Sequence, residues 1–250
     1  MVRRIAILGD FNPAYATHHA INDCQREIWK FFRGELQFDW ISTDVFNCET
    51  AFRTLYSGLW IAPGSPYNNT PNVMRTITYA RKNRIPTFGN CAGFQYMLVE
   101  FAQNVCGMEE AGHQEDDPRT YDPVISKLEC SLVGKEEEVL LVNEKSMIYK
   151  AHKKRKLNVK YFCNYGANPD YTEKIFNEGM AITALSSDAQ VRAFELLKHP
   201  FYVGTLFQPA LTSTKEDPDM LIMKFVEAAV KRKMKEEKAP SKEKKAADLD

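Results

Sequence analysis

The chain has 250 residues, 44% of them hydrophobic, and its 33 basic and 33 acidic residues cancel to a formal net charge of zero. That much apolar chain buries a full core in one large or composite globular domain, which excludes a disordered or low-complexity protein. Balanced charge gives no reason to expect nucleic acid as a partner, and no apolar run approaches the roughly 20 residues that cross a bilayer. Residues 1–4 lead directly into a strand-like run with no signal peptide before it. The expectation is therefore a cytoplasmic protein whose partner is a small molecule, with no nucleic-acid or membrane role. Six cysteines (Cys24, Cys48, Cys91, Cys106, Cys130, Cys163) lie far apart without a Cys-x-x-Cys pair. That spacing argues against a zinc site or a disulfide framework, so reduced thiols, no metal and no cofactor are expected.

Residues 4–10 form a short apolar run closed by glycine, the signature of a buried parallel strand. An amphipathic helix over 20–32 and a strand over 36–41 follow. The run 58–64 is a second buried strand broken by Pro-Gly, and helical periodicity returns over 71–84. Residues 85–89 read as a strand and 92–105 as a helix carrying Phe94, Met97, Leu98 and Phe101. This alternation predicts an α/β fold, a mostly parallel central sheet with helices on both faces. Beyond residue 116 shorter strands are expected over 124–128, 139–142, 158–163, 181–184 and 191–197, forming a small antiparallel addition. A last buried strand covers 201–207, and a closing helix covers 218–234 with Asp217 as its N-cap. Residues 1–234 thus make a single domain, and the charged stretch 235–250, without an apolar face, reads as a frayed helix end or disordered tail.

Gly89-Asn90-Cys91-Ala92-Gly93 is a Gly-x-Cys-x-Gly between strand and helix, the thiol counterpart of the nucleophile elbow. The glycines permit a sharp turn that lifts the nucleophile above the sheet. The following amides and the helix N-terminus then face it, where they favour a thiolate and can hold a developing oxyanion. A buried cysteine in a tight turn remains the alternative.

Several stretches carry a more specific likeness. Cys91-Ala92-Gly93-Phe94-Gln95 with residues 100–105, Trp60-Ile61-Ala62-Pro63-Gly64-Ser65, and residues 199–213 together resemble the glutaminase domain of CTP synthase, a class I glutamine amidotransferase of flavodoxin-like fold. The resemblance runs nearly the full chain. Residues 9–13, 130–134 and 164–169 are most similar to a group of standalone proteins related to the C-terminal region of CTP synthase, some of which are selenoproteins. The resemblance implies that Cys91 is the nucleophile and that Gly64 and the Ala92 amide supply oxyanion donors. Ser65 stands where the family has the second glycine of Pro-Gly-Gly. Gln95 and Glu115 would contact a glutamine-like substrate, Glu115 through its amino group. A solvated acid within the run Glu115-Asp116-Asp117 is the plain alternative.

The pattern also departs from the family. Its final loop reads Phe-His-Pro-Glu, the histidine serving as base and the glutamate orienting it, whereas this chain has Phe207-Gln208-Pro209-Ala210. Gln208 and Ala210 therefore occupy substituted triad positions. The arginine that would clamp the substrate carboxylate aligns with Asn164. Candidate replacement bases are His18 and His19, in the loop after the first strand, and His113, two residues before Glu115. His152 reads as a solvated residue in a basic run, and His199 as structural. Cys163 is either a buried thiol or a redox partner of Cys91, the latter requiring Cα atoms within about 7 Å. Two functional readings stay open: thiol-dependent amidotransferase-like or hydrolase-like chemistry on an unknown small molecule, or a pseudoenzyme binding a metabolite as a regulatory module. Supply of a glutaminase half to a separate synthetase is a third, which Gln208 and Ala210 disfavour. A homo-oligomer is compatible with all three.

Overall fold

The computed structural model describes residues 2–32 and 34–238. In chain order the elements are β1 (Arg3–Leu8), α1 (Ala16–Phe31), β2 (Leu36–Ile41), α2 (Cys48–Thr54), β3 (Tyr56–Ile61), α3 (Thr70–Lys82), β4 (Thr87–Asn90) and α4 (Ala92–Asn104). There follow β5 (Ala111–His113), β6 (Asp122–Lys127), β7 (Glu136–Leu141), α5 (Met147–His152), β8 (Lys156–Lys160), β9 (Tyr165–Ala167) and α6 (Pro169–Phe176). The chain continues through β10 (Met180–Leu185), β11 (Val191–Leu196), β12 (Tyr202–Thr205), a 3₁₀ turn (Pro209–Leu211) and α7 (Met220–Lys238).

Nine strands form one sheet in the order β2-β1-β3-β4-β12-β11-β10-β7-β8. The first five are parallel, in the flavodoxin-like arrangement. The α/β expectation holds, but the antiparallel strands are more than a small addition: β11, β10, β7 and β8 extend the same sheet beyond β12. A separate three-stranded sheet, β5-β6-β9, lies beside α4. Neighbouring strand residues face opposite ways. Phe88 packs on Phe225 of α7, whereas Gly89 faces Met97 of α4, so helices cover both faces of the sheet.

The longer elements follow from their periodicity, and the shorter ones from local caps. Asn47, Ser146 and Asn168 accept hydrogen bonds from Thr50, Tyr149 and Asp170 amides at the starts of α2, α5 and α6. These helices span too few turns for an apolar repeat to register. The closing helix starts two residues later than expected. Its cap is Asp219, whose Oδ1 accepts from the Leu221 and Ile222 amides at 2.9 and 3.0 Å, while the Asp217 amide donates to Thr214 Oγ1. His152 is half-buried with Nε2 3.8 Å from Asp219, so the solvated role expected for it gives way to a contact with this cap. The expected charged tail begins inside α7, which runs to Lys238, and its remainder, 239–250, lies outside the described residues.

Helix α4 is buried on every side from Ala92 to Ala102. Its one acid in that stretch, Glu100, is fully buried and takes a two-pronged hydrogen bond from Arg81 of α3, Nε to Oε2 at 2.8 Å and Nη2 to Oε1 at 2.7 Å. Paired in this way, the acid can sit in the core and lock α3 to the helix that carries the elbow. Removing one partner strands a buried charge. Arg81→Met should lower unfolding free energy by about 3–5 kcal/mol in urea titration, with much of the loss recovered by Arg81→Met/Glu100→Gln. A loss below about 1 kcal/mol would mean that the pair behaves as a solvated one.

Candidate active site

Cys91 sits between β4 and α4 with φ +53° and ψ −110°, a backbone conformation that costs a non-glycine residue on the order of 1–3 kcal/mol. The surroundings impose it. The Cys91 amide donates to Thr205 O of β12 at 2.9 Å, and its carbonyl accepts from the Gln95 amide at 3.1 Å. A Cβ on Gly89 would lie 2.8 Å from the Gly93 carbonyl carbon, and one on Gly93 would lie 2.5 Å from Ile61 O, so both elbow glycines are demanded by close backbone approach. First-turn amides of a helix have no intrahelical acceptor, which leaves those of α4 available where the chain turns past the sulfur.

Cys91 is 7% exposed and opens on a cavity of about 190 Å³ whose wall includes Gly64, Ser65, Gln95, Glu115, Cys163 and Gln208. Phe162, Asn164 and Tyr165 also border it. A wider groove of about 900 Å³ over Trp29 and Phe38 lies elsewhere and contains no cysteine. Of the side chains singled out by sequence, these walls gather Gly64, Ser65, Gln95, Glu115, Asn164 and Gln208 around Cys91. Ala210 is buried in the 3₁₀ turn behind Gln208 and does not line the cavity.

Fixed hydrogen bonds position this wall. Gly64, at φ +102°, makes the turn after β3. Ser65 Oγ donates to Glu115 Oε2, joining that turn to the segment after β5. Gln95 Nε2 donates to Tyr165 O at 2.8 Å, and its Oε1 accepts from His113 Nε2 at 3.1 Å. The tautomer of His113 is set because its Nδ1 accepts the Glu115 amide at 3.1 Å, leaving the proton on Nε2. Burial holds this imidazole neutral, its pKa pulled down to about 4. Gln208 is buried: Oε1 accepts from Asn90 Nδ2 at 3.5 Å, and Nε2 finds no acceptor among the described residues. Asn90 in turn accepts from Trp60 Nε1 at 2.7 Å.

The three histidines named as candidate bases are all engaged elsewhere. His18 is buried, accepting the Asn12 amide on Nδ1 at 2.9 Å and donating from Nε2 to Pro63 O at 2.8 Å; burial lowers its pKa. It braces the turn before Gly64. His19 is exposed and bonds Pro13 O at 2.7 Å. None of His18, His19 and His113 lines the cavity or hydrogen-bonds to the Cys91 sulfur. The hydrogen-bond contacts of that sulfur are instead with Cys163 Sγ at 2.8 Å and Phe162 O at 3.6 Å. Sequence reading also left Asp10 without a role. Its carboxylate accepts from Ser42 Oγ, Thr43 amide and hydroxyl, and the Asn68 amide. Burial opposes its ionisation, but these donors hold its pKa below the usual range and tie together the loops after β1, β2 and β3.

Fold and site together describe a thiol elbow on a flavodoxin-like sheet. The family model for glutamine amidotransferase class-I matches residues 32–228, and the chain belongs to that family. It is 31% identical over 193 residues to the CTP synthase of Nautilia profundicola, covering 70% of this chain and 35% of that protein. With the CTP synthase of Cytophaga hutchinsonii it shares 28% identity over 236 residues, 90% of this chain and 44% of the relative. The chain thus spans less than half the length of these relatives. Its fold superposes on the glutaminase domain of Trypanosoma brucei CTP synthase, solved with bound acivicin, with a TM-score of 0.82 at 24% identity, covering 92% of this chain and 94% of that one. Among the described residues, no helix is long and apolar enough to cross a membrane.

The neutral, buried His113 makes stability depend on pH. Below pH 6.5 the unfolded ring takes up a proton that the folded ring refuses, so its contribution is complete above pH 6.5 and is lost as pH falls toward about 4. The loss amounts to about 3 kcal/mol at the acid end. His113→Gln, which can keep both hydrogen bonds, should flatten the fall in unfolding free energy between pH 6.5 and 4 relative to the parent. Parallel pH profiles would place the proton elsewhere.

Proposed function

We propose that the chain uses Cys91 as a nucleophile toward the carbonyl carbon of a small, amine-bearing molecule, and that it is not an ordinary glutaminase. The observation carrying this reading is the cavity wall. A strained, glycine-framed cysteine opens into it, yet the residue in the position of the family's histidine is Gln208, whose amide takes up no proton near neutral pH. Attack by a Cys91 thiolate would form a carbon–sulfur bond, with the oxyanion held by the amides of Gly64 and Ala92. Gln208 Nε2, a buried donor with no partner among the described residues, would supply one further hydrogen bond to that charge. Collapse of this adduct breaks the carbonyl carbon's bond to the amide nitrogen or ester oxygen, and that group leaves as the amine or alcohol with a proton taken from water. Hydrolysis of the resulting thioester then needs a base to activate a second water. Without an imidazole it slows by about 10²–10⁴-fold.

The wall also constrains the substrate. Among the described residues lining the cavity, Glu115 carries the sole formal charge, and no lysine, arginine or histidine is present. A free carboxylate entering there would meet like charge with nothing to pair it, whereas an ammonium group would pair with Glu115. The favoured ligand is thus an amine whose acid end is an amide or ester, in contrast to glutamine. A second reading, favoured by the commitment of His18 and His113 to other bonds, is a pseudoenzyme that binds such an amine without turnover.

Glutamate release from L-glutamine by the purified chain should stay at or below about one hundredth of that from a family member with the intact Phe-His-Pro-Glu loop. Release at a comparable rate would overturn the reading of Gln208. Alkylation of Cys91 by iodoacetamide, followed by peptide mass spectrometry, should be slowed by an amino-acid amide and not by the corresponding free amino acid, and Glu115→Gln should abolish the difference. Equal protection by both would contradict the assigned charge preference. Turnover by the parent chain separates the two readings. Under the first it is present and Cys91→Ser abolishes it while ligand binding survives, whereas under the second the parent shows binding without turnover and Cys91→Ser changes neither.

A further inference from the structure

Cys163 precedes β9, in the loop after β8, and lines the same cavity as the elbow cysteine. Its Sγ lies 2.8 Å from Cys91 Sγ and 3.3 Å from Leu206 O. A disulfide requires about 2.05 Å between the sulfurs, so the pair is less than 1 Å from bonding distance. Both are free thiols. The other four cysteines have different surroundings: Cys24 faces Ser213, Cys106 faces Ile175 O, Cys48 is buried at the first position of α2, and Cys130 is exposed.

We infer that Cys91 and Cys163 form a reversible dithiol–disulfide couple, in which Cys91 meets a small hydroperoxide in the cavity and Cys163 closes the bond behind it. The order follows from access. Both cysteines line the cavity, but Cys91 is the more exposed of the two, 7% against 3%, and Cys163 Sγ is engaged with Leu206 O. The oxidant class follows from the cavity. About 190 Å³ with no cationic wall admits hydrogen peroxide readily and disfavours a bulky, carboxylate-bearing disulfide. This inference shares with the proposed carbonyl chemistry only the reactivity of Cys91, and its readout needs no carbonyl substrate.

The steps balance. The Cys91 thiolate attacks one peroxide oxygen; the O–O bond breaks, and Cys91 becomes a sulfenic acid as the second oxygen leaves as hydroxide, which becomes water on protonation. Cys163 sulfur then attacks the Cys91 sulfur, the S–O bond breaks, and the hydroxyl departs as a second water with the Cys163 proton. Two thiols and one peroxide give one disulfide and two waters, both electrons coming from the sulfur pair. Burial, reinforced by Cys91, pushes the Cys163 thiol well up, so it holds its proton until that step. A dithiol reductant such as dithiothreitol reverses the change by thiol–disulfide exchange, ending as its own disulfide.

The test uses the full chain on a Cys130→Ser background, which removes the exposed thiol. The reduced protein is treated with stoichiometric hydrogen peroxide, blocked with N-ethylmaleimide and mapped by non-reducing peptide mass spectrometry. The expected result is a Cys91–Cys163 linked peptide, with two fewer alkylable thiols, both restored by dithiothreitol. In Cys163→Ser the oxidation should stop at Cys91 sulfenic acid, trapped by dimedone at several times the parent level. The inference is overturned if Cys91 and Cys163 both stay alkylable under peroxide that oxidises free cysteine. It is equally overturned if Cys91 advances to sulfinic acid while Cys163 stays free, or if dimedone labels parent and variant alike. Should Cys163→Ser fail to fold, the linkage map of the parent decides alone.

Discussion

The site depends on one backbone constraint, the turn at Cys91. Its φ of +53° is unfavourable for a cysteine and is maintained by neighbours on three sides. Parallel pairing of β4 with β12 fixes the residues leading in, through Gly89 opposite Gly204 and Asn90 opposite Thr205. The Gly89–Gly93 approach leaves no room for a side chain, and α4 is clamped from behind by the buried Arg81–Glu100 pair. Strain of this kind persists where the surrounding structure over-determines it, and here it turns the thiol out of the core and toward the cavity.

Much of this was legible in the sequence because the signals were local and strong. The apolar runs of β1 and β3, the periodicity of α3 and α4, and the paired glycines around Cys91 each state their geometry within a few residues. The resemblance through residues 60–65, 91–95 and 199–213 placed the Gly64 turn and the last loop beside that cysteine. Other features were not legible, for physical reasons. The extent of the antiparallel half depends on which short strands pair, and pairing is a long-range property; β10 meets β7 across about forty residues of chain. The caps at Asn47, Ser146 and Asn168 define helices too short for periodicity. Asp10 carried no sequence signal of its role, because its hydrogen-bond donors lie more than thirty positions away.

The histidines illustrate the limit of composition as a guide to chemistry. His18 and His113 each lie in segments that border the site, but both ring nitrogens of each are engaged in positioning something else. His18 braces the turn that holds Gly64, and His113 orients Gln95 while tethering Glu115. They act on the cavity through other residues. What faces the Cys91 sulfur is a second thiol, on a residue whose role the surrounding sequence left open between packing and redox chemistry. The same cavity thus carries two proposals, attack on a carbonyl and sulfur–sulfur closure, and neither draws a base from Gln208.

The most direct measurement is the pre-steady-state release of p-nitrophenolate from the p-nitrophenyl ester of an amino acid, which has a good leaving group and no free carboxylate. The account predicts a burst approaching one nitrophenolate per chain as Cys91 is acylated, then slow turnover because no imidazole activates water, with the burst absent in Cys91→Ser. Linear release without a burst, unchanged in Cys91→Ser, would contradict Cys91 as the nucleophile. A burst followed by rapid continuous turnover would contradict the absence of a base.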